Sequence, residues 1–203
     1  MRTSFLVLAF CLFSGAVMAQ SYNDSILAFR QHYKQDFLTD KRSPLKSADL
    51  KYLRFFEPDI SYRVKASFVA TPESPSFSMP THSGKDKTYR QYGILTFRLH
   101  DTLLNLSIYK RLDANTEPKD YLFVPFTDLT SYTETFGGGR YLDLSVNDIK
   151  DNQVLLDFNK CYNPYCAFAE GYACPIPPRE NALNIAIKAG EKIYGKNLLD
   201  LQE

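Results

Sequence analysis

YRQYGILTFRLHDTLLNLSI, residues Tyr89 to Ile108, carries the periodicity on which the fold turns. Leu95, Phe97 and Leu99 stand two apart with Thr96 and Arg98 between them. After His100-Asp101 the alternation resumes at Leu104, Leu106 and Ile108. A period of two puts one set of side chains on one face of a strand, whereas a helix needs three to four. Two such runs around a two-residue polar link predict a β-hairpin.

The same period extends to either side. Tyr62, Val64, Ala66 and Phe68 alternate with Arg63, Lys65 and Ser67, and Tyr121–Phe126 is a strand interrupted by Pro125. Tyr141–Val146 and Val154–Phe158 read as a further pair, joined by the turn-rich residues 147–152. Leu183, Ile185 and Ile187 predict a last strand, ended by Gly190. The three prolines of 71–80 and the polar run 113–119 predict loops. Ahead of the strands, Ile26, Phe29, Tyr33 and Phe37 recur at helical spacing behind a capping-box pattern of Ser21 and Asp24. Ser43-Pro44 introduces a short second helix at 48–53. Strands in series with helices only at the termini indicate a mainly β protein: one antiparallel β-sandwich or barrel-like domain with an N-terminal amphipathic helix.

Residues 1–19 have a different character. Arg2 is their only charge, an apolar run follows from Phe5 to Phe13, and Val17-Met18-Ala19 offers small or apolar residues to an export peptidase. This is the pattern of a signal peptide, cleaved before Gln20, which leaves 20–203 as a single exported domain, periplasmic or secreted. The run is too short for a comfortable membrane span, and no span is expected in the mature chain. Bulky Phe10 before Cys11 argues against lipoprotein anchoring. A net charge of +1 without a Lys/Arg run gives no field for nucleic acid, so none is expected as a partner.

Cys161, Cys166 and Cys174 remain in the exported chain. Export favours a disulfide. Cys166 and Cys174 enclose a short loop followed by Pro175, with Cys161 left over; three free thiols stay open as an alternative. The C-x4-C-x7-C spacing lacks the paired knuckle or nearby His of a zinc site, so no metal is expected, nor any other cofactor.

Side chains able to do chemistry crowd into 136–192. Gly137, Gly138 and Gly139 can form an anion-binding nest beside the fork of Arg140, or simply a tight bend entering the strand that carries Asp143. Asp157, Asn159 and Lys160 end a strand. Tyr162, Asn163 and Tyr165 flank a braced turn, and Glu180 and Asn181 follow a stiff proline segment in which a cis X-Pro bond is conceivable. No G-x-S-x-G, H-E-x-x-H or phosphate-binding loop is present, and His32, His82 and His100 are scattered.

These stretches resemble a known family, the bacterial and archaeal proteins of unknown function numbered 1684. The resemblance rests on Tyr121–Asp128, Gly137–Asp143, Asp157–Lys160, Tyr162–Ala167, Cys174–Pro178 with Glu180-Asn181, and Ala189–Lys192, and it covers nearly the whole exported chain. It implies no reaction. Cys161 departs from it, since alanine is expected there, which supports Cys166–Cys174 as the pair. Three readings of function follow. The first is a small anionic or sugar-like ligand held by Gly138, Gly139, Arg140, Asp143, Asn159, Lys160, Tyr162, Asn163, Tyr165 and Asn181. The second is a hydrolase with Asp157 and Glu180 as acid and base. The third is a structural envelope module whose polar groups satisfy one another.

Overall fold

The computed structural model describes residues 4–114 and 117–196, with side chains from Gln20 onward. The expected leader at 1–19 and its cleavage site therefore lie outside the described side chains. Helix α1 spans Ser4–Thr39, and seven strands follow: β1 Arg63–Ala70, β2 Ser76–Met79, β3 Lys87–Leu99, β4 Thr102–Arg111, β5 Tyr121–Phe126, β6 Arg140–Ser145 and β7 Gln153–Asp157. All pairings are antiparallel in one sheet, ordered β6-β5-β4-β3-β1-β7.

The expected hairpin is present. Leu99 pairs with Thr102 across His100 and Asp101, both at positive φ (45° and 64°). Two positive φ values suit the right-handed twist of the flanking strands. Three expectations are corrected. Residues 76–79 form β2 within the presumed loop, pairing with β3 at 87–90 beyond the end of β1. Ser21 lies inside α1, so it caps nothing here. The strands at 141–146 and 154–158 do not pair: β6 pairs with β5 and adds a bridge from Tyr141 to Tyr162, and Arg63–Ser67 of β1 takes β7 instead. A 3-10 turn at Val146–Asp148, capped by Ser145, redirects the chain where a hairpin loop was expected. No described peptide bond is cis.

β6 and β7 are thus the two end strands, yet Leu142, Val154 and Leu156 share one apolar core with Ala66, Leu95, Leu106 and Val124. End strands can meet in one core only if the sheet curls, so the sheet is a half-barrel. Its opposite face carries a smaller aromatic cluster of Tyr89, Tyr109, Phe123 and Tyr141. The gap between β6 and β7 is bridged by α1, whose Tyr22, Ile26, Arg30 and Phe37 are buried.

The expected last strand at 183–187 is not a strand. The segment runs beside Thr127, with one bridge at Ala182. Beyond it the carbonyls of Ile187, Ala189 and Glu191 all accept from Arg140. Alternate carbonyls of an extended chain point the same way, so one guanidinium supplies the donors that a neighbouring strand would have provided.

Candidate functional site

The glycine–arginine stretch faces inward. Arg140 is 1% exposed; its Nη2 donates to Asp128 Oδ2 at 2.8 Å and to Ile187 O at 2.8 Å, and its Nη1 serves Ala189 and Glu191. Asp128 is completed by Thr130 N–H at 2.8 Å, the Thr130 hydroxyl at 2.6 Å and Ile187 N–H at 3.2 Å. A charge pair this deep holds only when most of its other groups are also bonded; of the guanidinium nitrogens, Nε is the one left without a partner. Here it ties the irregular C-terminal segment onto β6. Gly139 has φ +86°, and its N–H closes a turn on Phe136 O. A Cβ on Gly138 would strike Phe136 and His82, and one on Gly137 would strike Tyr132. The triplet is spaced by close packing.

Other polar positions are also tied internally. Asn181 is fully buried: its Oδ1 accepts from Ser107 N–H at 2.7 Å, and its Nδ2 donates to Ser107 O and Pro125 O. Asn159 joins Asp59, Asp157 and Tyr22, whose hydroxyl donates to Asp157 Oδ1 at 2.9 Å. Asp157 and Glu180 are not brought together. Asp157 ends β7 with Tyr22 and Arg63, whereas Glu180 accepts from Tyr109 of β4 at 2.8 Å, and β3 and β1 lie between those strands.

Asp143, Asp157, Lys160, Tyr162 and Tyr165 do converge, at a cavity of 640 Å³ in the gap between the end strands. One wall is α1 (Phe29, His32, Tyr33, Asp36, Phe37), another is β6 (Leu142–Leu144), and a third is β7 (Leu155–Asp157). Asp143 Oδ1 accepts from Tyr121 Oη at 2.7 Å and Tyr162 Oη at 2.8 Å. Surrounding protein raises the Asp143 pKa above the ordinary carboxylate range, and the two hydroxyls pull it partly back. Its surface nonetheless stays open to the cavity, so entering solvent relieves part of that cost.

Behind the cavity wall lies Glu191, with no exposed surface. Its Oε2 accepts from Tyr33 Oη at 2.9 Å and Asn163 N–H at 2.8 Å. Burial pushes its pKa up to about 7, against the pull of those donors. Asn163 Nδ2 donates to Lys192 O, so two acceptors, Glu191 Oε1 and Asn163 Oδ1, are left buried without partners. A proton on Glu191 turns one of these two acceptors into a donor, and the Asn163 side chain lies near enough to influence the carboxyl. Tyr33 is therefore a cavity wall on its ring side and a clamp on its hydroxyl side. Burial and Glu191 raise its own pKa well above the ordinary range.

A second recess of 340 Å³ shares Arg42, Tyr162 and Tyr165 with the first and adds Lys87, Tyr141, Tyr172 and Cys174–Pro175. Burial, then the nearby Arg111, lowers the Lys87 pKa. The Cys166–Cys174 disulfide braces this wall. Cys161 is a free, buried thiol, pushed up to about 11 by burial, and is correspondingly inert. Among the described residues no group of three or more His, Cys, Asp or Glu side chains is placed to hold a metal.

Of the residues singled out from the sequence, Gly138, Gly139, Arg140, Asn159, Asn163 and Asn181 are thus structural neighbours of the cavity or lie away from it. Tyr33, Asp128 and Glu191 were missed as polar nodes. Tyr33 had a signal, since a tyrosine on an otherwise apolar helix face brings a hydroxyl that needs a buried partner.

Comparison with known proteins gives two findings. The family model described as Protein of unknown function (DUF1684) matches residues 48–192. The solution NMR structure of the uncharacterised protein from locus rrnAC0354 of Haloarcula marismortui superposes with a TM-score of 0.67 at 29% sequence identity, covering 85% of this chain and 95% of that one. No curated protein matches.

Proposed function

The chain belongs to the DUF1684 family, and we propose that it is an exported protein binding a small, sugar-like organic molecule in the cavity between α1, β6 and β7. The observation that carries this reading is the cavity itself. Its volume lies in the range that holds small ligands, its walls are mainly aromatic and aliphatic, and a few polar groups converge on it. Tyr33, Tyr162 and Tyr165 offer ring faces on which a sugar can stack, and Asp143 offers an acceptor for its hydroxyls.

An anionic ligand has less support here. Arg140, the fork expected to clamp it, donates inward, and Asp143, Asp148 and Asp157 stand around the cavity. The hydrolase reading needs Asp157 and Glu180 on one substrate, and the two bond separate tyrosines. A structural module would need the internal polar network but not the cavity.

Thermal unfolding of the protein with a panel of sugars, polyols and amines tests this reading. A ligand at about a hundredfold its Kd adds about 2.7 kcal/mol of stability. Leu155 stands at the cavity wall and is 45% exposed, so Leu155→Trp should fold while obstructing the site. Stabilisation that Leu155→Trp removes supports the reading; no stabilisation by any compound sinks it. Export is checked by the mass of the chain recovered from cells, which should begin at Gln20.

A further inference from the structure

Of the carboxylates around the cavity, Asp157 faces an arginine and Asp36 a histidine, whereas Asp143 and Asp148 have no cation within ion-pairing distance among the described residues. His32 faces Asp36 at 3.6 Å, Arg63 faces Asp157 at 3.9 Å, and Arg42 faces Asp40 at 3.5 Å. Lys160 sets its ammonium over the Phe29 ring at 5.4 Å, and Asp148 accepts from Ser145 N–H in its cap. Asp143 has no cation at ion-pairing distance among the described residues; its bonds are the two from Tyr121 and Tyr162. Both end on Oδ1. Oδ2 accepts nothing from the described protein, and Asp143 is an exposed residue of β6 on the cavity wall.

That leaves an anionic acceptor, fixed by two tyrosines, beside the aromatic walls of Tyr33 and Tyr162, whose ring centroids are 6.0 Å apart. The missing complement has a definite chemistry. A neutral hydroxyl can bond Oδ2 but leaves the charge uncompensated. An N–H of an ammonium ion meets both the lone pair and the charge, and the ring faces attract the same cation. A carboxylate would meet like charge at Asp143, Asp148 and Asp157, against Lys160 as the lining cation that has no carboxylate within ion-pairing distance among the described residues.

We infer that the ligand of this cavity is a small organic ammonium ion carrying at least one N–H, bound through Oδ2 of Asp143. The inference rests on the proposed function and names its ligand class. It also accounts for aspartate at this position. Asparagine could accept the same two hydroxyls on Oδ1 without an uncompensated charge, so Asp143→Asn should fold at least as well as the natural chain.

The test is calorimetric titration of the full chain with glucosamine, glucose and glucuronate, which are similar in size and differ in charge, and with cyclohexylamine against cyclohexanol. The amines should bind about tenfold or more tightly than their neutral counterparts, and Asp143→Asn should remove that preference while melting at the same or a higher temperature. Equal or tighter binding of the neutral compounds overturns the inference and leaves the binding function standing. So does an amine preference that survives Asp143→Asn. Preference for glucuronate also overturns it, and would point to Lys87 and the neighbouring recess. If no compound of any charge binds, the proposed function falls and the inference with it.

Discussion

Glu191 makes the stability of this protein depend on pH in a direction opposite to that of ordinary surface carboxylates. Its carboxyl starts from an ordinary value of 4.5 and is pushed up to about 7 by complete burial. Below pH 4.5 the group is protonated in both folded and unfolded chains and costs nothing. As pH rises through the window from 4.5 to 7, the unfolded chain loses the proton while the folded chain keeps it. Unfolding stability then falls by about 1.4 kcal/mol per pH unit, for a total of about 3 kcal/mol at pH 7 and above. Glu191→Gln isolates this contribution from that of every other group. A glutamine can accept from Tyr33 Oη and Asn163 N–H on its oxygen and donate from its nitrogen to the orphaned Asn163 Oδ1. It therefore reproduces the protonated acid. Urea unfolding of both proteins from pH 4.5 to 8 is the assay: the two should agree within about 1 kcal/mol at the acid end, and the variant should be about 3 kcal/mol more stable at the alkaline end. A constant difference across that range would refute the assignment of a proton to Glu191, and with it the account of the two orphaned acceptors.

Two further outcomes follow from buried groups near the same segment. Arg140→Ala strands Asp128 and three carbonyls, so urea unfolding should show a loss of about 3–5 kcal/mol, and Arg140→Met with Asp128→Leu should restore only the part due to the unpaired carboxylate, because the carbonyls and the donors to Asp128 stay unpaired; a loss under about 1 kcal/mol would mean the network is slack. Gly139→Ala should cost about 2 kcal/mol or more, because its Cβ would come within 2.6 Å of Phe126 O at a φ of +86°. Gly171→Ala is the control, with φ +88° and open space around it, and should lower the melting temperature less.

The hairpin at 89–108 was legible because its signal is local: a period of two and a two-residue link. Which strands pair is a different matter. β6 and β7 are neighbours in sequence with a turn-rich link, and only the curl of the sheet makes them opposite edges of a gap. Residues 183–187 have the alternation of a strand but lack a strand partner, because the following carbonyls belong to Arg140, more than forty positions earlier. Glu180 and Asp157 were plausible partners by residue type; the fold gives them separate tyrosines.

Sequence alone determined the β class, the N-terminal helix, the disulfide-braced turn and the family resemblance, since each depends on periodicity or on contiguous motifs. It also marked Asp143, Asp157, Lys160, Tyr162 and Tyr165, which line the cavity. The tertiary structure decided that Asp143 meets Tyr162 across 19 positions, that Tyr33 reaches Glu191 across 158, and that Arg140 turns inward. Whether a charged group faces a cavity or a counter-ion depends on what distant segments place beside it, and in a curled sheet those neighbours come from both ends of the chain.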